Sequence, residues 1–240
     1  MANPVEQFKI EPLVPLEIGG VDVSFTNSSL YMIVAVVAAT LLLTLSMGAR
    51  AMVPGRWQSL AEVLYEFVAN MIRDNVGTEG RKYFPYIFSL FMFVLFGNLI
   101  GMVPYAFTYT SHIAVTFGLA IVIFIIVTII GFARHGTHYL RMFFPHGAPL
   151  ATAVILVPIE LISYCSRPFS LAIRLFANMT VGHIILKVMG AFVVTLGVFG
   201  ILPMAFLGGV TVLEFGIALL QAYVFTVLSC IYLNDAIHMH

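Results

Sequence analysis

Long apolar runs separated by short polar connections dominate the chain. Runs of about 20 residues cover 30–49, 83–103 and 113–133, and a helix needs about 20 apolar residues to cross a bilayer. They lack the short apolar and polar alternation of a membrane β-barrel. These three runs therefore predict three transmembrane helices.

Two later apolar stretches, 148–190 and 191–233, are each about twice the length that a perpendicular helix needs to cross a bilayer. Polar residues interrupt both, and Pro158 and Pro168 lie in the first. Bent, steeply tilted helices covered by protein or by a partner would explain both the length and the polarity. The pattern thus predicts an all-α membrane protein with about five crossings, whose last two helices form a tilted hairpin.

Two segments differ from the spans. Residues 1–28 are acidic and contain prolines, and they predict an irregular arm with room for one short helix. Residues 56–76 predict an amphipathic helix on the membrane surface, with a helix packed on a soluble partner domain as the alternative. Its apolar positions recur every three or four residues and are Trp57, Leu60, Leu64, Phe67 and Met71.

The composition agrees with a single membrane domain over residues 1–240. Hydrophobic residues make up 61% of the chain and charged residues only 9%, whereas soluble domains carry about 25% charged residues. Eleven basic residues balance eleven acidic ones, which leaves no basic field for nucleic acid. The spacing of Cys165, Cys230 and the histidines suggests no metal site, so we expect neither a metal nor a cofactor.

Basic residues near the span ends predict the orientation, because they are enriched on the cytoplasmic side. The connections 49–82 and 134–146 contain lysine or arginine, whereas 104–112 and 191–206 contain neither. The first two connections are therefore expected in the cytoplasm or matrix. The N-terminus is then expected outside and the C-terminus inside.

Arg174 is the most unusual residue of the apolar stretches. An arginine near a bilayer centre costs about 2.5–3.5 kcal/mol on insertion scales, so a membrane protein that keeps one usually uses it. Its guanidinium stays protonated, whereas a buried lysine can lose its proton. Arg174 is therefore a candidate for a fixed positive charge close to a proton path.

Helical spacing separates the polar groups around Arg174. Asn178 and Glu160 both lie about 40° from it on a helical wheel, and Glu160 is about 21 Å away along the axis. His183 lies about 180° away, on the opposite face. We interpret the two faces as two aqueous routes that approach Arg174 from opposite sides without joining.

The second long helix supplies further polar groups. Glu214 and Gln221 are seven residues apart and share a face, and Glu214 is an obvious partner for His183 if the two long helices pack together. A carboxylate and an imidazole can relay protons. The fixed charge of Arg174 would repel a proton that could otherwise leak straight through.

Structural roles remain open for several of these residues. Glu160 could pair with Arg167, seven residues further on. His183 could be a hydrogen-bonded packing residue, and Asn98 and Asn178 could join helices through hydrogen bonds.

Four motifs carry a resemblance to a known family. They are the runs GNLIGMVP at 97–104, ELISYCSRP at 160–168, RLFANM at 174–179, and Glu214 followed by LQAY at 220–223. Together they resemble subunit a of the F-type ATP synthase, and the resemblance covers nearly the whole chain.

The resemblance implies a stator channel that passes protons to and from carboxylates of a rotating c-ring and has no catalysis of its own. Arg174 matches the residue that separates two half-channels. His183 and Glu214 match positions on the outer route, Gln221 matches a residue facing Arg174, and Glu160 matches the route to the cytoplasm or matrix.

The resemblance also implies partners: the c-ring, b-type subunits of the peripheral stalk and the rest of the F1Fo complex. The acidic arm has no targeting peptide, which favours the bacterial inner membrane, with the mitochondrial inner membrane as the alternative. The main rival is a self-contained ion-coupled secondary transporter. Such a protein usually shows internal pseudo-symmetry, and the sequence has no evident internal repeat.

Overall fold

The computed structural model describes residues 8–15, 17–18, 21–22, 24–46, 55–103, 106–143 and 150–238. Arg50, Pro104 and His146, which belong to the predicted connections, lie outside these ranges.

Six α-helices account for most of the described chain. Five of them, all except α2, are long and apolar enough to cross a membrane, which confirms the predicted all-α membrane protein. The helices are α1 (Asn27–Ser46), α2 (Arg56–Val76), α3 (Phe84–Gly101), α4 (Ile113–His135), α5 (Leu150–Thr195) and α6 (Ile201–Ile237).

The N-terminal arm contains short strands where an irregular segment was predicted. The strands are β1 (Pro12–Val14), β2 (Glu17–Ile18), β3 (Val21–Asp22) and β4 (Phe25–Thr26), and β1 pairs with β4 and β2 with β3, all antiparallel. The side chain of Asn27 donates a hydrogen bond to the Lys9 carbonyl (3.0 Å) and accepts one from the Glu11 amide (3.3 Å). Backbone groups that would otherwise need water as a partner are thereby satisfied within the arm.

The last two helices form a hairpin whose turn lies later than the predicted boundary between residues 190 and 191. Helix α5 continues through Pro158 and Pro168 to Thr195, and α6 begins at Ile201. The turn contains Gly197 with φ +55°, a conformation that only glycine adopts readily. The apolar pattern runs through this region, so the backbone requirement at the turn sets the reversal.

Helix α2 has the predicted bounds but buries a different set of residues. It packs on α1, α3 and α6 through Val68, Met71, Ile72 and Val76. Met71 alone of the predicted apolar stripe is buried, and Trp57 at the other end is 70% exposed. Most of the predicted apolar positions of α2 are not buried, and the placement of this helix on the membrane surface stays a prediction.

Contacts at one end of the bundle agree with alternating crossings. Arg134, at the end of α4, pairs with Glu79, between α2 and α3. His135 hydrogen-bonds the carbonyl of Ile237 at the end of α6 (3.1 Å). The connections predicted on the cytoplasmic side therefore lie together, and the side of the membrane that they face stays a prediction.

The connection between α3 and α4 folds into the protein. Its residues from Ala106 to Ser111 are all buried. The Tyr109 hydroxyl donates a hydrogen bond to the carbonyl of Phe93 on α3 (2.9 Å). A Cβ atom at Gly97 would overlap the same hydroxyl. The loop can therefore pack this closely on α3 only because residue 97 has no side chain.

We predict that Gly97→Ala destabilises the protein by about 1–3 kcal/mol, because the added methyl displaces Tyr109 from a packed position. Thermal unfolding of the purified protein in detergent measures the effect as a lower midpoint. Gly118→Ala on α4 is the matched control, since a Cβ atom there meets nothing within 4 Å. Equal midpoints for the two variants would contradict this account of the loop.

Candidate functional site

Helix α5 presents two chemically different faces. Glu160, Arg174 and Asn178 are exposed in the isolated chain. His183 is only 6% exposed and faces the protein interior. The two side chains therefore differ in burial, and the face with Arg174 is left uncovered by the described part of this chain.

Arg174 has no ion-pair partner among the described residues. The ion pairs found there join Glu79 to Arg134, Arg167 to Asp235 and His183 to Glu214. The guanidinium thus projects from an apolar helix surface without a carboxylate from the same part of the chain. A permanent cation in such a place is stabilised best by an anion that another molecule supplies.

Asn178 and Gln221 join the two helices of the hairpin beside Arg174. The Asn178 amide Nδ2 donates a hydrogen bond to Gln221 Oε1 at 2.7 Å. Gln221 is 3% exposed, and its Nε2 has no hydrogen-bond partner among the described residues. The contact joins Gln221 to Asn178, which lies one helical turn after Arg174 on α5.

His183 and Glu214 meet inside the hairpin, as the sequence predicted. His183 Nδ1 lies 3.4 Å from Glu214 Oε1, and Glu214 is 1% exposed. Neither carboxyl oxygen of Glu214 has a hydrogen-bond partner among the described residues. Buried polar atoms without partners are uncommon in native proteins, which makes this carboxyl group a candidate functional group.

The second ring nitrogen of His183 contacts a residue outside the predicted site. Thr108 Oγ1 lies 3.0 Å from His183 Nε2. The ring of Phe8 from the N-terminal arm lies 6.4 Å from the His183 ring. In the sequence, the only sign of this role is that the short connection between two spans is uncharged and contains hydroxyl residues. The contact itself forms because the loop folds inward and brings Thr108 to His183.

Burial favours the neutral forms of two side chains in the same loop. Burial lowers the pKa of His112 and raises the pKa of Tyr109, and both effects favour the neutral side chain. His112 also stacks on Phe107, with ring centroids 5.0 Å apart. His183 therefore meets a neutral, hydroxyl-bearing surface on this side.

The alternative pairing of Glu160 with Arg167 is not found. Arg167 Nη1 lies 2.8 Å from Asp235 Oδ2 on α6, and its guanidinium stacks against Tyr164 and Tyr232. The last apolar stretch was predicted to end at residue 233, but α6 continues to Ile237 and presents Asp235 to α5.

Asn98 has the structural role that was left open for it. Its side-chain Nδ2 donates a hydrogen bond to the carbonyl of Ala218 on α6 at 3.1 Å, so it joins α3 to α6.

In the described ranges, no group of three or more His, Cys, Asp or Glu side chains is arranged to hold a metal ion.

Comparison with known proteins reveals a family match over most of the chain. Residues 29–234 match the family model described as ATP synthase A chain. "ATP synthase subunit a" of Paramagnetospirillum magneticum is 75% identical, and the alignment covers 100% of both chains. The protein of the same name from Rhodospirillum rubrum is 68% identical, again over 100% of both chains. That of Parvibaculum lavamentivorans is 56% identical over 98% of this chain and 94% of its own.

We predict that Gly182→Ala displaces the Glu214 carboxyl group, because the new Cβ atom would lie 2.7 Å from Glu214 Oε1. The crowding should lower the thermal unfolding midpoint in detergent, with a cost of about 1–3 kcal/mol. Gly190→Ala on the same helix is the control, since a Cβ atom there has open space. If Gly182→Ala is as stable as this control, the close packing of Glu214 on α5 is wrong.

Proposed function

Since the chain belongs to the ATP synthase A chain family, we propose that Arg174 separates two proton half-channels leading to and from carboxylates of a c-ring. The observation that carries the proposal is the division of α5. Its uncovered face has a permanent cation, and on its buried face His183 meets Glu214 of α6.

Family membership gives the coarser part of the function directly. The chain is a membrane-embedded subunit of the F1Fo ATP synthase. It is a channel subunit and is not catalytic by itself. The details of the proton path and of the individual partners belong to the proposal.

The uncovered face of α5 is where the c-ring would bind. A rotating carboxylate that arrives opposite Arg174 would meet a charge that cannot be neutralised by losing its proton. The guanidinium stabilises the ionised carboxylate, so it promotes release of the proton that the carboxylate brought. It also repels a free hydronium ion, which prevents a direct leak between the two routes.

The two routes use different groups of the hairpin. His183 and Glu214 can exchange a proton on the outer route, and Glu160 lies on the exposed side of α5 toward the inner one. Asn178 holds Gln221 beside Arg174 and keeps a polar surface between the routes. A transmembrane potential contributes about 2.3 kcal/mol per charge per 100 mV, so separating the routes conserves usable energy.

The partners and location follow from the same proposal. The c-ring covers the Arg174 face, b-type subunits of the peripheral stalk bind other surfaces, and the complex lies in the bacterial inner membrane. The mitochondrial inner membrane remains the alternative. A self-contained secondary transporter is disfavoured, because the relatives are named as a subunit of an ATP synthase.

We predict that Arg174→Ala abolishes both ATP synthesis and ATP-driven proton pumping in membrane vesicles. Arg174→Lys should retain little activity, because lysine lacks the planar fork and can lose its proton. Arg81→Ala, which removes an exposed arginine between α2 and α3, is the control and should pump normally. Coupled pumping at the normal rate by an assembled Arg174→Ala complex would disprove the central role of Arg174.

We also predict that exchanging the titratable pair restores function lost in the single variants. His183→Glu and Glu214→His each leave two like groups facing each other, whereas the double variant again pairs a carboxyl group with an imidazole. ATP-driven proton pumping should therefore be higher in the double variant than in either single one. The amount of assembled complex is measured in parallel, and assembled variants without any rescue would argue against a shared proton.

A further inference from the structure

Thr108 makes two contacts that compete for one hydrogen atom. Its Oγ1 lies 3.2 Å from the Gly101 carbonyl oxygen and 3.0 Å from His183 Nε2. Thr108 is 2% exposed and His183 is 6% exposed. A threonine hydroxyl has a single hydrogen to donate, and it can accept through its lone pairs.

The carbonyl determines how this hydrogen is used, because a carbonyl oxygen can only accept. Gly101 is the last residue of α3, and the final carbonyls of a helix have no partner within the helix. Thr108 therefore donates to Gly101, and its lone pair accepts from His183. The hydrogen on His183 that satisfies this arrangement must lie on Nε2.

We propose that Thr108 is a positioning residue that holds a proton on Nε2 of His183 and so leaves Nδ1 as the nitrogen that exchanges a proton with Glu214. This inference rests on the proposed function, since it assigns the ring nitrogen of His183 that takes part in proton transfer on the outer route. Thr108 acts by fixing which ring nitrogen of His183 is protonated, and Thr108 itself does not carry the proton.

The other side of the imidazole fits this assignment. Nδ1 faces Glu214 Oε1 at 3.4 Å, and an unprotonated Nδ1 is a hydrogen-bond acceptor. In the transfer step, the O–H bond of the protonated Glu214 breaks and an N–H bond forms at Nδ1. The products are a carboxylate and an imidazolium, so no further reactant is needed.

Phe8 and Lys187, which lie near the imidazole ring, do not offer Nε2 a hydrogen-bond acceptor. The N-terminal arm contributes the apolar ring of Phe8, and Lys187 Nζ lies 5.7 Å from that ring. A lysine ammonium group can only donate. Thr110, two residues after Thr108, is equally buried, and its hydroxyl has no partner among the described residues.

Three variants of the complete complex test this proposal. Thr108→Val keeps the shape but removes the acceptor, and it should lower ATP-driven proton pumping per assembled complex about three- to tenfold, as loss of one buried hydrogen bond predicts. Thr108→Ser keeps the hydroxyl and should retain at least about half of the wild-type rate. Thr110→Val removes a neighbouring buried hydroxyl without a partner and should pump normally.

A spectroscopic measurement separates positioning from packing. Nitrogen-15 NMR of histidine-labelled complex, with His183 assigned by its loss in His183→Gln, reports which ring nitrogen carries the proton in the neutral ring. The wild type and Thr108→Ser should show a protonated Nε2, and Thr108→Val should show a shifted proton distribution. If Thr108→Val does not assemble, Thr108→Ala replaces it, since the smaller side chain cannot overpack the loop.

The outcomes distinguish this inference from the proposed function. Normal pumping by Thr108→Val, an equal loss in Thr110→Val, or a proton on Nδ1 in the wild type would overturn the role of Thr108 while leaving Arg174 as the divider. Normal coupled pumping by Arg174→Ala would instead overturn the proposed function. Loss in Thr108→Val with retention in Thr108→Ser and Thr110→Val supports the inference.

Discussion

The packing of α5 against α6 is the interaction on which the rest of the structure depends. It buries the pair of His183 and Glu214 between the two helices, while the described part of the chain leaves Arg174 exposed on α5. Ionisable groups are costly in an apolar surrounding unless they are paired or used. The hairpin contains both a titratable pair and a permanent charge, and His183 and Arg174 lie about two and a half helical turns apart along α5. The proposed function of two routes that do not join is built on that separation.

The other elements hold this hairpin in place. Helices α3 and α4 pack on it from the side, with Asn98 joining α3 to the backbone of α6. Arg167 and Asp235 link the hairpin near its open end, where two tyrosines flank the arginine. The loop between α3 and α4 closes the His183 side and supplies Thr108. Polar contacts between helices are thus few and specific, as expected where apolar association alone gives little orientation.

Much of the site could be read from the chain because helical periodicity is a local property. The rotation of about 100° per residue placed Arg174 and His183 on opposite faces before any contact was known. It also suggested Glu214 as a partner for His183. Thr108 and Asp235 could not be found in this way, since each reaches α5 from a segment distant in the chain. The strands of the arm were missed because their pairing satisfies backbone groups and leaves little hydrophobic pattern.

The sequence by itself determined the all-α membrane class, the helical spans and the costly arginine, because length and hydropathy must match the bilayer. The tertiary structure decided which charges meet. It directed Arg167 to Asp235 instead of Glu160, placed the hairpin turn at Gly197 where a positive φ is required, and left the Arg174 face uncovered. These outcomes depend on interhelical packing and backbone geometry, which a one-dimensional pattern of apolar and polar residues does not encode.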